Sequence, residues 1–513
     1  MPTRAKEMRG PVFTSFLIPS VFEGVTARHL CVFYKQLEAF GRDRIGFIGE
    51  RAYFQAPHLF ERQGRPEWLP SWRATYGYTP PADLHGVHTR ALPDGVLDAR
   101  LRRVRSSWRL YRLLARRPLP ELVSAVGEAL DALGHVERID AVLQFANNPS
   151  VCRAAMTRGL PVVHNEFGPL RPPQYVMTAY WDRRGVSLGS DAARRYARFR
   201  RQTVDDRVPV LHRDEILYVL RRDASVESLT DVPATYRLGI ALQGEDNAQV
   251  QGIGALDLIS MARQHFRAEE ICIRYHPGSL ARYPDSLGIP DTSSTPTGFI
   301  SRCDAVLTVS SGTALEAMLL GRRAIVVGDS PLAVAAQRDV AQDAGAGRDD
   351  HLCALNFLVF GYLVPGELMF DAEYVRWRLS EPSEPAIYRH HLRWYRDRLR
   401  DAPVGTRATS GLRAAALLAA AAGPGGSSPL ALFGAGGATA ELVARLAADG
   451  RRVVAIFDND PAKWGSRIGD LPITVPGVIA DATVAVASTT HADAMVRQLR
   501  GLGYDHDRIV SLQ

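Results

Sequence analysis

Short apolar runs alternate with helix-like stretches along this chain, and that alternation limits the possible folds more than any other feature. Val12–Pro19, Ile45–Ile48, Ala141–Phe145 and Pro161–Asn165 read as strands, with helical stretches over Leu30–Phe40 and around Ser150–Arg158. After Tyr236 the rhythm resumes: RLGIALQ as a buried strand, a helix near Gly254–His265, strands Glu270–Tyr275 and Asp304–Val309, a helix Thr313–Leu320 and a strand Arg323–Val327. Strands alternating with helices build parallel sheets covered by helices, so the expected class is α/β rather than a helical bundle.

At 513 residues the chain exceeds one ordinary domain of roughly 100–200 residues. Two Rossmann-like units facing a common cleft are expected over 1–235 and 236–400. The basic, aromatic stretch Tyr388–Arg400 either packs back across that cleft or stands in solvent. After Asp401 the composition turns to alanine, glycine, serine and proline, which reads as a linker over 401–429 because such residues bury no core. Beyond it Leu430–Gly434 enters a glycine turn, and Val453–Phe457 leads to Asp458, so a third, small Rossmann-like domain is expected over 430–513.

Charge matters for the choice of partner. A net charge of +7 would suit nucleic acid, yet among the 62 basic residues only Lys6, Lys35 and Lys463 are lysine, and the arginines spread along the whole chain. That spread suggests biased usage rather than a phosphate-tracking surface, so no nucleic acid is expected. Arginine does suit small anionic substrates through bidentate bonds. In Arg100–Arg117, Leu101, Val104, Trp108, Leu110 and Leu113 fall near one side of an arginine-covered helix. This is either a solvated basic face or a peripheral contact with anionic lipid at the inner membrane. The longest apolar run, Ala414–Ala422, is too short to span a bilayer, which needs ~20 residues. The cysteines, Cys31, Cys152, Cys272, Cys303 and Cys353, show no metal-ligand spacing and read as reduced. A cytoplasmic protein is expected.

The sharpest chemical signal is RYHPGS at Arg274–Ser279 together with VSSGTALEAMLLG at Val309–Gly321. In the second, a strand ends in Ser310 and Ser311, Gly312 turns the chain, and a helix starts at Thr313 with Glu316 one turn inside. Free N–H groups and hydroxyls at such a turn bind phosphate oxygens, and Glu316 is placed to accept from ribose hydroxyls. His276 and Pro277 end another strand at the same sheet edge, where ligands of open α/β sheets sit. No acidic pair is well placed for a divalent cation, so no metal is expected.

With NEFGPLRPPQYV (Asn165–Val176), RRGVSLGS (Arg183–Ser190) and LQGEDNAQV (Leu242–Val250), these elements resemble the capsule polysaccharide synthesis glycosyltransferases of bacteria. The resemblance covers roughly Ala141 to Arg400. It implies a GT-B fold and transfer of Kdo, or a related acidic ulosonic acid, from a CMP-activated donor to a saccharide or glycolipid acceptor, without a required cofactor. Glu166, Gly168, Arg171 and Pro172 match the family's E-x-G-x-x-R-P element, and Gln243, Glu245 and Asp246 match in part its glutamine followed by acids. By that resemblance Glu166 exchanges the acceptor proton, His276 serves the leaving phosphate, and Arg171, Gln243 and Arg274 bind the donor; the family's nucleophilic aspartate falls at Asn247, an amide that cannot attack, so either Asp246 beside it serves, the mechanism differs, or the activity has changed. Donors such as CMP-sialic acid or CDP-glycerol fit the same elements, and Asn247 leaves open a non-catalytic assembly factor.

The last domain, through LFGAGGATAELV (Leu432–Val443) and IFDNDPAKWG (Ile456–Gly465), is similar to the nucleotide-binding half of PglD-type sugar acetyltransferases. Gly434, Gly436, Gly437 and Asp458 are its candidates for a nucleotide or nucleotide sugar, although threonine replaces the third glycine of the fingerprint at Thr439. An oxidoreductase driven by this domain would need a Tyr-x-x-x-Lys pair, which it lacks.

Overall fold

The structure is a computed structural model that describes residues 12–19, 26–59, 77–135, 138–206, 208–222, 226, 228–229, 232–244, 252–276, 279, 281–341, 348–401, 429–435, 439–448, 451–486 and 492–511. Three sheets order it. The first contains β1 (Val12–Phe16), β2 (Ile45–Gly49), β3 (His88–Ala91), β4 (Ile139–Phe145), β5 (Val162–Phe167) and β6 (Thr178–Asp182), joined by a late two-residue strand β12 (Val364–Pro365). Their order is β12-β6-β5-β4-β1-β2-β3, parallel from β5 to β3, with β6 antiparallel to both β5 and β12. Buried helices cover both faces. Phe33 and Leu37 of Thr26–Phe40 pack with Phe13 and Phe47, while Leu122 and Val126 of Pro120–Gly134 pack with Phe16 and Val142.

The second sheet, β7 (Leu238–Ala241), β8 (Ile271–Arg274), β9 (Ile289–Pro290), β10 (Ala305–Thr308) and β11 (Arg323–Val326), is wholly parallel in the order β11-β10-β7-β8-β9. Its inner strands β7 and β10 are buried on both faces, as the unbroken apolar runs require. At Gly239 a Cβ would stand 2.6 Å from Cys303 Sγ and from Phe299 Cζ, so only glycine lets the helix Pro296–Ser301 lie this close to β7. The paired α/β units of the sequence reading are therefore present.

One boundary differs from that reading. Val364–Pro365 pairs with β6, and Tyr374 and Val375 of the helix Ala372–Leu379 pack with Trp181 and Phe13, so part of the span assigned to 236–400 completes the first unit. The helix Glu384–Asp401 does pack back: Tyr388 and Tyr395 are buried with Phe199 of the first unit and Leu315 of the second. There Arg195 and Glu384, each under a tenth exposed, form a buried ion pair at 3.0 Å, and Arg195 also donates to the Gly361 carbonyl at 2.7 Å.

Arg100–Arg117 is two helices, Asp98–Val104 and Ser107–Arg116, separated by Arg105 with φ 52°. Ser106 caps the second by accepting from Arg109 N–H at 3.3 Å. Leu110 and Leu114 are buried with the core beside the first sheet, Leu101 and Val104 pack partly buried against it, and Arg102, Arg103, Arg105, Arg109, Arg116 and Arg117 are exposed. Among the described residues no helix is long and apolar enough to cross a membrane.

The third sheet comprises β13 (Leu430–Phe433), β14 (Val453–Phe457), β15 (Arg467–Ile468), β16 (Leu471–Thr474), β17 (Thr483–Val486) and β18 (Ile509–Ser511). Its order is β15-β16-β14-β13-β17-β18, with only β15 antiparallel. Its three small cores draw on residues from Leu430 onward alone. Of the expected linker, 402–428 lies outside the described residues.

Candidate functional site

A cleft of about 410 Å³ opens where the carboxyl ends of β5, β7, β8 and β10 meet. From the first unit it takes Glu166, Gly168, Arg171 and Pro172; from the second Gln243, His276, Ser310, Ser311, Gly312, Thr313 and Glu316. The sequence reading thus places eleven of its candidates around one void, drawn from segments up to 150 residues apart.

Glu166 is the penultimate residue of β5, half-buried, and pairs across the ladder with Tyr180 of β6. Burial, then the Glu166 charge, pushes the Tyr180 hydroxyl well above its ordinary value, so that ring is a neutral wall. Arg171 bends back over its own loop, donating through Nε to the Gly168 carbonyl at 3.1 Å.

On the opposite wall the side chains hold one another. The Gln243 amide oxygen accepts from Ser310 N–H at 3.1 Å, tying the end of β7 to the end of β10. Ser311 Oγ accepts from Thr313 N–H at 3.3 Å and lies 3.1 Å from the Thr313 hydroxyl, one residue ahead of Gly312, the N-cap of the helix Thr313–Leu319. A Cβ on Gly312 would stand 2.9 Å from Pro169 Cβ: glycine here lets the serine turn touch the loop that follows Glu166. His276 lines the cleft together with that turn, its Nδ1 3.6 Å from where a Gly244 Cβ would be.

Glu316 forms the floor. Burial raises its carboxyl to about 7, with the Arg274 charge acting the other way. The unfolded chain releases this proton near the ordinary value of 4.5, so stability falls as pH rises from about 4.5 to about 7. Glu316→Gln should therefore be more stable than wild type at pH 8, by up to roughly 3 kcal/mol, and the gap should close toward pH 5. Chemical denaturation at both pH values checks this; a gap independent of pH would refute it.

Arg274 does not line the cleft. It donates to Asp291 at 2.6 Å and to the Ser293 carbonyl at 3.1 Å, at the outer edge of the second sheet, while its charge still acts on Glu316. Glu245, Asp246, Asn247 and Pro277 lie outside the described residues. Sequence reasoning missed Tyr175, Tyr180, Thr297 and Ser187, all of which line the cleft. Among the described residues no group of three or more His, Cys, Asp or Glu is placed to hold a metal ion.

In the third unit Asp458 is turned inward. Its carboxylate accepts from Ala435 N–H at 2.6 Å, Asp460 N–H at 2.8 Å and Lys463 Nζ at 3.1 Å, so it fastens the glycine turn to β14. Gly434 has φ 114°, and Thr439 Oγ1 donates to its carbonyl at 2.8 Å. Gly436 and Gly437 lie outside the described residues.

Residues 15–191 match the Glycosyltransferase 99 family N-terminal domain. No curated protein matches the chain. Among solved structures, the β-Kdo 2,7-transferase KpsC of Thermosulfurimonas dismutans is 15% identical over 49% of this chain and 88% of that one, with a TM-score of 0.30. The spinosyn rhamnosyltransferase SpnG is 14% identical over 74% and 99%, with a TM-score of 0.26. A UDP-GlcNAc 2-epimerase from Neisseria meningitidis is 12% identical over 76% and 100%, also at 0.26. The first-unit wall of the cleft, from Glu166 to Ser187, falls inside the segment that carries the Glycosyltransferase 99 pattern.

Proposed function

We propose that this chain is a glycosyltransferase of surface or capsular polysaccharide synthesis, moving an acidic sugar of the Kdo class from a CMP-activated donor to a saccharide or glycolipid acceptor. One observation carries the reading: a carboxylate on the first unit, Glu166, faces a histidine and a serine-rich helix start on the second, His276 and Ser310–Thr313, across a single cleft. In transfer, the bond from the anomeric carbon to the CMP phosphate oxygen breaks and a bond to the acceptor oxygen forms. Glu166 exchanges the acceptor's proton. The departing phosphate gathers its charge at the Ser311–Thr313 turn, with His276 donating to it. That turn supplies the electrostatic help that a divalent cation gives elsewhere, so the reaction proceeds without metal. The Asp246 segment following Gln243 supplies the remaining carboxylate of the reading. The third unit, which keeps a strand, a glycine turn and a helix, holds a nucleotide or nucleotide sugar through its backbone, since Asp458 is already engaged.

Calorimetry with CMP, CDP, UDP, GDP and NAD tests the reading, on the full chain and on a chain ending at Gly423. CMP should bind both, and the pair Ser311→Ala with His276→Ala should lose at least tenfold in affinity. Binding of NAD or UDP alone, lost with the third unit, would transfer the chemistry to that unit and end the proposal.

A further inference from the structure

On the glycosyl-transfer reading, we propose that Ser187 is an acceptor-binding residue, its hydroxyl holding a hydroxyl of the saccharide that receives the sugar. Ser187 lines the cleft and is 4% exposed, and no hydrogen bond of its hydroxyl is seen among the described residues. Its backbone is left-handed, φ 59°, a conformation that costs a serine energy and is kept where the surroundings impose it. A second non-glycine residue in the same region of φ, Ala146 at 62°, stands at the end of β4, the strand beside Glu166's.

The surroundings that impose it are visible. Asn147 brackets Ser187 from both sides: its amide oxygen accepts from Val186 N–H at 2.8 Å, and its nitrogen donates to the Val186 carbonyl at 2.8 Å and the Leu188 carbonyl at 3.2 Å. Asp182, buried at the end of β6, accepts from Arg184, Gly185 and Asp191 N–H groups and so closes the loop at its base. Asp329 of the second unit accepts from Gly189 N–H at 2.8 Å. Because β6 runs antiparallel to β5, the chain leaves it at the wrong end of the sheet, and this loop returns it to the carboxyl edge beside Glu166. A bonded, strained return that presents one unoccupied hydroxyl next to the proton-exchanging carboxylate fits a polyol. The serine turn and His276, proposed to take the phosphate, lie on the other unit, while Ser187 shares the first-unit wall with Glu166, which assigns it to the acceptor.

The test compares Ser187→Ala and Ser187→Gly in the full chain, with CMP-Kdo as donor and methyl glycosides of common hexoses and N-acetylhexosamines as acceptors. Both variants should raise the acceptor KM at least tenfold and leave CMP affinity within twofold. Ser187→Gly, free of the left-handed strain, should melt no lower than wild type, which separates the lost contact from a lost fold. Unchanged acceptor kinetics in both variants would overturn the proposal, as would a parallel loss of CMP affinity. If wild type transfers nothing from CMP-Kdo, the functional reading fails on its own. Ser187 is then judged by saturation-transfer NMR with the same glycosides: signals lost in both variants support the contact, and signals equal in all three proteins, or absent from wild type, overturn it.

Discussion

Replacing Glu166 with glutamine is expected to slow glycosyl transfer by a factor of about 10²–10⁴ while CMP affinity stays within a few-fold of wild type. The amide keeps the size of the carboxylate and its place opposite Tyr180 on the β5–β6 ladder, so the fold has no reason to change. It cannot take a proton, and proton exchange with the acceptor hydroxyl is the role assigned to this position. CMP should be unaffected because its proposed groups, Ser310–Thr313 and His276, belong to the second unit. Initial rates and calorimetry on the same preparation check both halves. A variant within tenfold of the wild-type rate would remove Glu166 from the chemistry, and CMP affinity falling with the rate would make it a donor contact instead.

Asp182→Ala should produce the largest loss of stability of any single change near the cleft, roughly 3–5 kcal/mol. The carboxylate is 1% exposed and accepts from Arg184 N–H at 2.7 Å, Gly185 N–H at 3.2 Å, Asp191 N–H at 2.8 Å and the Tyr362 hydroxyl at 2.8 Å. Alanine strands all four donors where water does not reach, and an unmet buried donor costs about 1–3 kcal/mol. Asp182→Asn keeps one acceptor oxygen and should fall between alanine and wild type. Since Asp182 closes the loop that carries Ser187, transfer should decline in the same order. Denaturant titration of the three proteins decides it; equal midpoints would mean that the loop is held by Asn147 and Asp329 without Asp182.

The parts of this fold written as continuous apolar runs were readable: β4, β5, β7, β8, β10 and β11 each fall within two residues of their expected spans. Other parts were not. TAYWD of β6 mixes aromatic and polar residues because its strand packs between a sheet and a loop base, and a two-residue strand such as Val364–Pro365 has no periodicity to detect. Arg100–Arg117 read as one helix because the arginines carry the pattern through Arg105, where the backbone breaks it, although the Ser106 cap was there to see. The second-unit wall was legible because strand ends, serines and a helix start are local features. The partner of Arg274, Asp291, was not legible, because it is set by the packing of β8 beside β9. Ser187 stood inside a segment already singled out, yet a left-handed φ and a bracketing asparagine forty residues upstream leave no mark in composition.

The late return of the chain to β6 sets a timetable for synthesis. As the nascent chain emerges, the first sheet leaves its β6 edge open, besides the β3 edge, until Val364 and Pro365 appear about 180 residues after β6 is made. At 5–20 residues per second that wait is on the order of 10–40 s. During it the backbone groups of Thr178 and Ala179 are open to pairing with another strand, including the same strand of a neighbouring nascent copy. A polysome making this protein therefore carries the aggregation risk of this edge while the stretch between β6 and Val364 is being translated.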